Sequence, residues 1–148
     1  MKASIPMTRN VTVVPPELPL ALAHIVMQRE KIRHLPVVRA GALLGILSDR
    51  DLLARGTLRD DGSLHLPQGT VASAMTTTPV VAEVDTPVST LVRLMTERKI
   101  DAIPIVRGLR LVGLVTSTDL LLLLVDFDTA TPLPFEFHLA ETAPTMQA

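Results

Sequence analysis

Residues 32–53 read IRHLPVVRAGALLGILSDRDLL, and residues 100–121 read IDAIPIVRGLRLVGLVTSTDLL. The two stretches lie 68 positions apart and align without a gap. The register extends back to Met7 and Met75, so that residues 7–53 match residues 75–121 with fifteen of 47 pairs identical. Among these pairs are Thr8/Thr76, Pro19/Pro87, Lys31/Lys99, Pro36/Pro104, Gly45/Gly113 and Asp51/Asp119. Chance does not hold one register over such a length, and the chain is read as a tandem duplication.

Each copy predicts the order β-α-β-β-α. Short apolar segments at Val11–Val14 and Val80–Val84 open the units. In the second unit Thr86 is placed as N-cap and Pro87 as first helical residue. Val88, Leu91, Val92 and Met95 then mark one buried helical face, matched by Leu20, Ala23 and Met27 in the first unit. Leu35–Arg39 with Leu43–Leu47, and Ile103–Arg107 with Leu111–Val115, read as hairpins. A second helix starts near Ser48 and near Thr116. The fold class is thus α/β (α+β), with residues 1–54 and 71–126 as the repeats. Each half is too small to bury much surface alone, so the halves are expected to pack sheet to sheet as a pseudo-two-fold pair. Residues 55–70 form a linker with a turn at Asp61–Gly62. In the tail, residues 127–148, Leu133, Phe135, Phe137 and Leu139 alternate with polar residues and Pro134 and suggest a strand.

Composition narrows the function. The 148 residues are 47% hydrophobic and 20% charged, with a formal charge of −1. That balance provides no basic surplus to attract nucleic acid or anionic lipid. Cysteine is absent, which removes disulfides, thiolate catalysis and Cys-ligated metals. The longest run of large aliphatics, Leu120–Val125, is far short of the about 20 residues that span a membrane. Pro15, Pro16 and Glu17 interrupt any leader-like apolar stretch. The protein is expected to be cytoplasmic, with no nucleic acid and no membrane among its partners. The four His show no metal-ligand spacing, and no nucleophile meets a base in any known motif, so no metal and no catalytic residue are expected.

The sharpest motif occurs twice, as Gly45-Ile-Leu-Ser48-Asp49-Arg50-Asp51 and Gly113-Leu-Val-Thr116-Ser117-Thr118-Asp119. Ser or Thr followed three residues later by an acid is a capping-box pattern. It leaves the paired glycines unexplained, since glycine in a strand marks close backbone approach or a bulge. A helix start also attracts phosphate. Ser48 and Thr116 can then donate to a phosphate oxygen, Asp51 and Asp119 can accept from a ribose diol, and the glycines give the ligand room.

These repeats, with their Met-Thr openings, central IRHLPVV and IDAIPIV, and terminal G-h-h-[S/T]-x-x-D (h, aliphatic), resemble a pair of CBS domains. The domain is named after cystathionine β-synthase, and the pair is called a Bateman module. The resemblance covers about residues 5–125. It implies two clefts that bind AMP, ADP, ATP or S-adenosylmethionine, and a stand-alone regulatory role without catalysis. By the same resemblance, Asp51 and Asp119 hold ribose, and Ser48 and Thr116 contact phosphate or ribose. Asn10–Val11 and Thr78–Pro79, with His34–Pro36 and Ala102–Pro104, line the base. Arg50, with Arg33, His34 and Arg9 placed nearby, is expected to give the first motif the phosphorylated ligand. The second motif, with Thr118, Asp101, Ala102 and Thr77, lacks a local cation. It takes a neutral or cationic ligand, stays empty, or borrows cations from the other unit.

Leu120–Val125 is apolar all round and needs a cover. A second copy, giving a homodimer through leucines 120–124, is the simplest; the tail folding back is the competing one. An effector protein of unknown identity would read the ligand-bound state. The alternative reading is a ligand-independent dimerisation scaffold in which Ser48 and Thr116 are only caps.

Overall fold

The computed structural model describes residues 1–126. The tail strand expected at Leu133–Leu139 lies outside the described residues.

Helix α1 (Leu20–Glu30) buries Leu20, Ala23 and Met27, as their spacing requires. It ends at Lys31, whose left-handed backbone (φ 54°) turns the chain into strand β1 (His34–Arg39). Strand β2 (Ala42–Ser48) folds back antiparallel on β1, and helix α2 (Asp49–Arg55) follows directly. The linker forms the small hairpin β3 (Thr57–Leu58) and β4 (Leu64–His65). At its turn Gly62 takes φ +82°, and Asp61 Oδ1 accepts from the Ser63 N–H at 2.9 Å. A single-turn helix α3 (Val71–Ala74) leads into the second repeat.

That repeat contains β5 (Ala82–Glu83), α4 (Val88–Arg98), β6 (Ala102–Arg107), β7 (Arg110–Thr116) and α5 (Ser117–Leu123). A 3-10 turn, Leu124–Asp126, extends α5. Helix α4 ends on Lys99 (φ 53°), repeating the Lys31 turn. Within each hairpin the register slips at the same place, between Val37 and Val38 and between Ile105 and Val106.

Several details differ from the sequence reading. Val11–Val14 is reduced to one bridge between Val14 and Val37, because Pro15 and Pro16 offer no N–H to continue a ladder. The N-cap of α4 is Pro87 rather than Thr86. Thr86 Oγ1 instead accepts from the Glu83 N–H at 3.0 Å and closes the preceding turn. Val92 is 43% exposed, so the buried stripe of α4 rests on Leu91 and Met95. The two hairpins are linked along one edge. The sheet order is β1-β2-β7-β6-β5, with Ala42 paired to Arg110 at the join and the Leu43 N–H donating to the Leu109 carbonyl (3.0 Å) and the Leu111 N–H to that of Gly41 (3.1 Å) beside them. Each repeat keeps its own core, built around Leu35, Val37, Leu47 and Leu52 in one and Leu91, Ile103, Ile105 and Val115 in the other.

The opening segments cross between repeats. Ala3 and Met7 belong to the second core, while Val71 belongs to the first, with Ala74 and Met75 packed against it. Thr8 and Leu114 exchange backbone hydrogen bonds (2.8 and 3.0 Å), and Thr76 and Ile46 do the same (2.9 and 3.1 Å). Each repeat therefore begins on its neighbour, and this crossing sets the walls of the clefts.

Candidate functional site

The two capping boxes form as the spacing implies. Asp51 Oδ2 accepts from the Ser48 N–H at 2.8 Å, and Ser48 Oγ accepts from the Asp51 N–H at 3.1 Å. Asp119 Oδ2 accepts from the Thr116 N–H at 2.8 Å, and Thr116 Oγ1 accepts from the Asp119 N–H at 3.3 Å. Each carboxylate is thereby held in one orientation at a half-buried helix start. Oδ1 of each is uncommitted among the described residues.

Each motif faces a loop from the other repeat. The larger cleft, about 290 Å³, joins Thr116, Thr118 and Asp119 to Lys31, Arg33 and His34, with Asn10 and Val11 on its rim. The smaller, about 130 Å³, joins Ser48, Asp49, Arg50 and Asp51 to Lys99, Asp101 and Ala102. His34 lines both. Within each repeat one backbone contact of the same form ties the helix start to its own loop, and the crossing at Thr8/Leu114 and Thr76/Ile46 brings the other repeat alongside. The Asp49 N–H donates to the Arg33 carbonyl, and the Ser117 N–H to the Asp101 carbonyl, each at 2.9 Å.

This geometry redistributes the expected site. Arg33 lines the cleft of the second motif, so that motif borrows its cations, Lys31 and Arg33, from the first repeat. Arg50 stays with the first motif but is paired with Asp101 at 3.3 Å. Arg9 lines neither cleft; it sits in a separate hollow with Val11 and Gly113 and donates to the Ser4 carbonyl at 3.4 Å. Pro36 and Pro104 are almost fully buried and do not line the clefts, and neither do Thr78 and Pro79. From the Thr78 segment it is Thr76 that reaches the smaller cleft, as Thr8 reaches the larger.

The glycines also have another role. A Cβ on Gly45 would lie 2.5 Å from the Thr76 carbonyl oxygen, and one on Gly113 3.1 Å from that of Thr8. They make room for the crossing backbone, not for a ligand. Lys31 and Lys99 also line the clefts, outside the motif residues that the sequence singles out. The signal available in the sequence was their identity in the two repeats; the structure adds that both take a left-handed conformation that lysine rarely adopts. Among the described residues no group of three His, Asp or Glu gathers to hold a metal ion.

Burial lowers the pKa of His34 below its ordinary 6.5, and Arg33 and Arg50 add to the effect against the opposing pull of Asp49 and Asp101. The unfolded chain therefore binds this proton more readily than the folded one. Stability from this residue is present above 6.5 and is lost as pH falls through the lowered folded value. His34→Asn is expected to flatten the melting-temperature profile between about pH 5 and 7 relative to the parent chain. Parallel profiles for the two proteins would contradict a lowered His34.

Comparison with known proteins agrees with this architecture. A family model described as CBS domain matches residues 3–56 and 71–126. The CBS domain-containing protein YhcV of Bacillus subtilis (strain 168) is 33% identical over 115 residues, covering 77% of this chain and 79% of its own. The crystal structure of CBSX2 in complex with AMP superposes with a TM-score of 0.74 at 25% identity, covering 86% of this chain and 98% of that one. The CBS domain pair of protein MJ0100, in complex with 5′-methylthioadenosine and S-adenosyl-L-methionine, gives 0.69 at 25% identity, over 83% and 98%.

Proposed function

This chain belongs to the CBS domain family, and we propose that it is a regulatory module binding an adenosine-containing ligand (AMP, ADP or ATP) between its repeats. The observation that carries the reading is the repeated half-site. In each cleft a carboxylate is fixed by its capping box with one oxygen uncommitted, opposite a lysine from the other repeat's helix end. A fixed carboxylate suits the paired hydroxyls of ribose, and a cation suits phosphate. Relatives with this fold are described with AMP and with S-adenosyl-L-methionine. Because both clefts have walls from both repeats, a bound ligand ties the repeats together and changes the angle between them.

We place the readout of that angle in a homodimer. Leu121, Leu122 and Leu124 are 63%, 61% and 62% exposed, while Leu120 packs on the second core. The first repeat presents Leu53 at the position matching Leu121, with Leu22 and Ile25 also exposed. A duplicated chain thus offers an apolar helix surface twice, which suits an isologous contact with a second copy. No helix among the described residues is long and apolar enough to cross a membrane, and we assign the module to the cytoplasm, acting on an effector protein without catalysis.

The test uses the missing Trp and Tyr. The polypeptide scarcely absorbs in the near ultraviolet, so adenine carried through purification dominates the spectrum of the heat-released supernatant. Added AMP, ADP or ATP at about a hundredfold excess over Kd stabilises by about 2.7 kcal/mol. For a chain of this length that raises Tm by roughly 5–10 °C. Light scattering of the same sample is expected to give the mass of a dimer. A dimer that carries no adenine and whose Tm ignores all three nucleotides would make the scaffold the correct reading.

A further inference from the structure

The two clefts lie at matched places in the repeats and differ in the side chains at matched positions. Arg33 matches Asp101, and Thr118 matches Arg50. Because each motif faces the other repeat's loop, the two differences meet within each cleft. Thr118 shares the larger cleft with Arg33, and Arg50 shares the smaller with Asp101.

The electrical outcome is opposite in the two places. In the larger cleft Lys31 and Arg33 stand against one carboxylate, Asp119. Arg33 makes no ion pair among the described residues. In the smaller cleft Lys99 and Arg50 stand against Asp49, Asp51 and Asp101, and Arg50 is already paired with Asp101 at 3.3 Å. That pair is exposed and contributes little to stability, but it neutralises the one guanidinium a phosphate there would use. His34 borders both clefts, and its lowered pKa keeps it from adding charge to either near neutral pH.

We infer that the chain sorts its ligands by charge, the larger cleft taking a phosphorylated adenosine compound on Lys31 and Arg33, and the smaller taking an adenosine compound without phosphate. This rests on the adenosine reading above. A phosphate entering the smaller cleft meets three carboxylates, and like charges brought together oppose binding. The space agrees with the charge, since the smaller cleft has less than half the volume of the larger. An uncharged or cationic 5′ substituent meets no such repulsion and can use the surplus carboxylate.

Isothermal titration with AMP and with 5′-methylthioadenosine tests this. AMP is expected to fill one site per chain, and 5′-methylthioadenosine to bind AMP-saturated protein. Arg33→Glu is expected to weaken AMP by at least about tenfold, as loss of a charge-assisted contact implies. It should leave the 5′-methylthioadenosine site in the smaller cleft within about twofold, since that cleft keeps all its own side chains. Asp101→Arg removes a carboxylate and releases Arg50, and is expected to create a second AMP site, a gain that a misfolded variant could not produce. AMP filling both clefts of the parent chain with equal affinity, or binding Arg33→Glu undiminished, would overturn the sorting while leaving the adenosine reading intact. If neither compound bound the parent chain, the adenosine reading itself would fall, and the sorting with it.

Discussion

Removal of residues 1–8 is expected to destabilise the second repeat while the first keeps its fold. The segment is first in the chain, yet its side chains serve the far half. Ala3 and Met7 are buried in the core formed by Leu91, Ile103, Ile105 and Val115. The Ala3 N–H donates to the Thr86 carbonyl at 2.7 Å, that of Ser4 to Val84 at 3.0 Å, and that of Val88 to Met1 at 2.8 Å. Thr8 adds its reciprocal bonds to Leu114. Emptying a buried methionine site costs about 2–5 kcal/mol, and each net hydrogen bond adds about 1. These contributions sum to about 7–10 kcal/mol, and the conformational entropy no longer spent on ordering the segment offsets part of them, so a loss on the order of 3–6 kcal/mol is expected in urea unfolding, a large share of the stability of a domain this size. Hydrogen exchange should show where it falls. Amides of β6 and β7 lose protection, and those of β1 and β2 keep theirs. Met7→Ala should reproduce the direction with a smaller amplitude. Equal loss of protection in both hairpins, or a stability change below about 1 kcal/mol, would contradict the crossed packing.

The crossing also marks where the sequence stops being informative. The duplication, the two hairpins, the α1 stripe of Leu20, Ala23 and Met27, and both capping boxes are local patterns, and each appears where its spacing places it. Which repeat a segment packs on is not a local property. Met7 and Met75 occupy matched positions and look like the start of their own repeats, but each packs with the other's core. The same non-local fact misassigned Arg33. In sequence it stands close to the first motif, and its carbonyl does accept from Asp49, yet its side chain lines the cleft of the second. Arg50 lines the cleft of its own motif, but its pairing with Asp101 spans 51 residues and no spacing rule reaches that far. The apolar run Leu120–Val125 is a local pattern too, and Leu121, Leu122 and Leu124 are exposed where its spacing leaves them uncovered.

Gly45→Ala is expected to lower stability even though alanine is ordinarily the better strand residue. Replacing glycine with alanine at a compatible site gains about 0.4–1 kcal/mol by restricting the unfolded chain. Here the site is not compatible. The new Cβ would lie 2.5 Å from the Thr76 carbonyl oxygen and 2.9 Å from Met75 Sδ. The Thr76 carbonyl cannot simply retreat, because it accepts from the Ile46 N–H at 3.1 Å while the Thr76 N–H donates back to Ile46 at 2.9 Å. Overpacking of this kind costs about 1–3 kcal/mol, which lowers Tm by roughly 3–9 °C at this chain length. Gly113→Ala should be milder. Its nearest obstacle is Met7 Sδ at 2.7 Å, which belongs to a flexible side chain, and the Thr8 carbonyl is 3.1 Å away. The functional consequence is local. Thr76 lines the smaller cleft, so Gly45→Ala should weaken 5′-methylthioadenosine there and leave AMP in the larger cleft within about twofold. Had the glycines served to admit the ligand, Gly45→Ala would abolish binding with Tm unchanged. That outcome would return them to the site, and a fall in Tm greater at Gly45 than at Gly113 assigns them to the crossing of the two repeats.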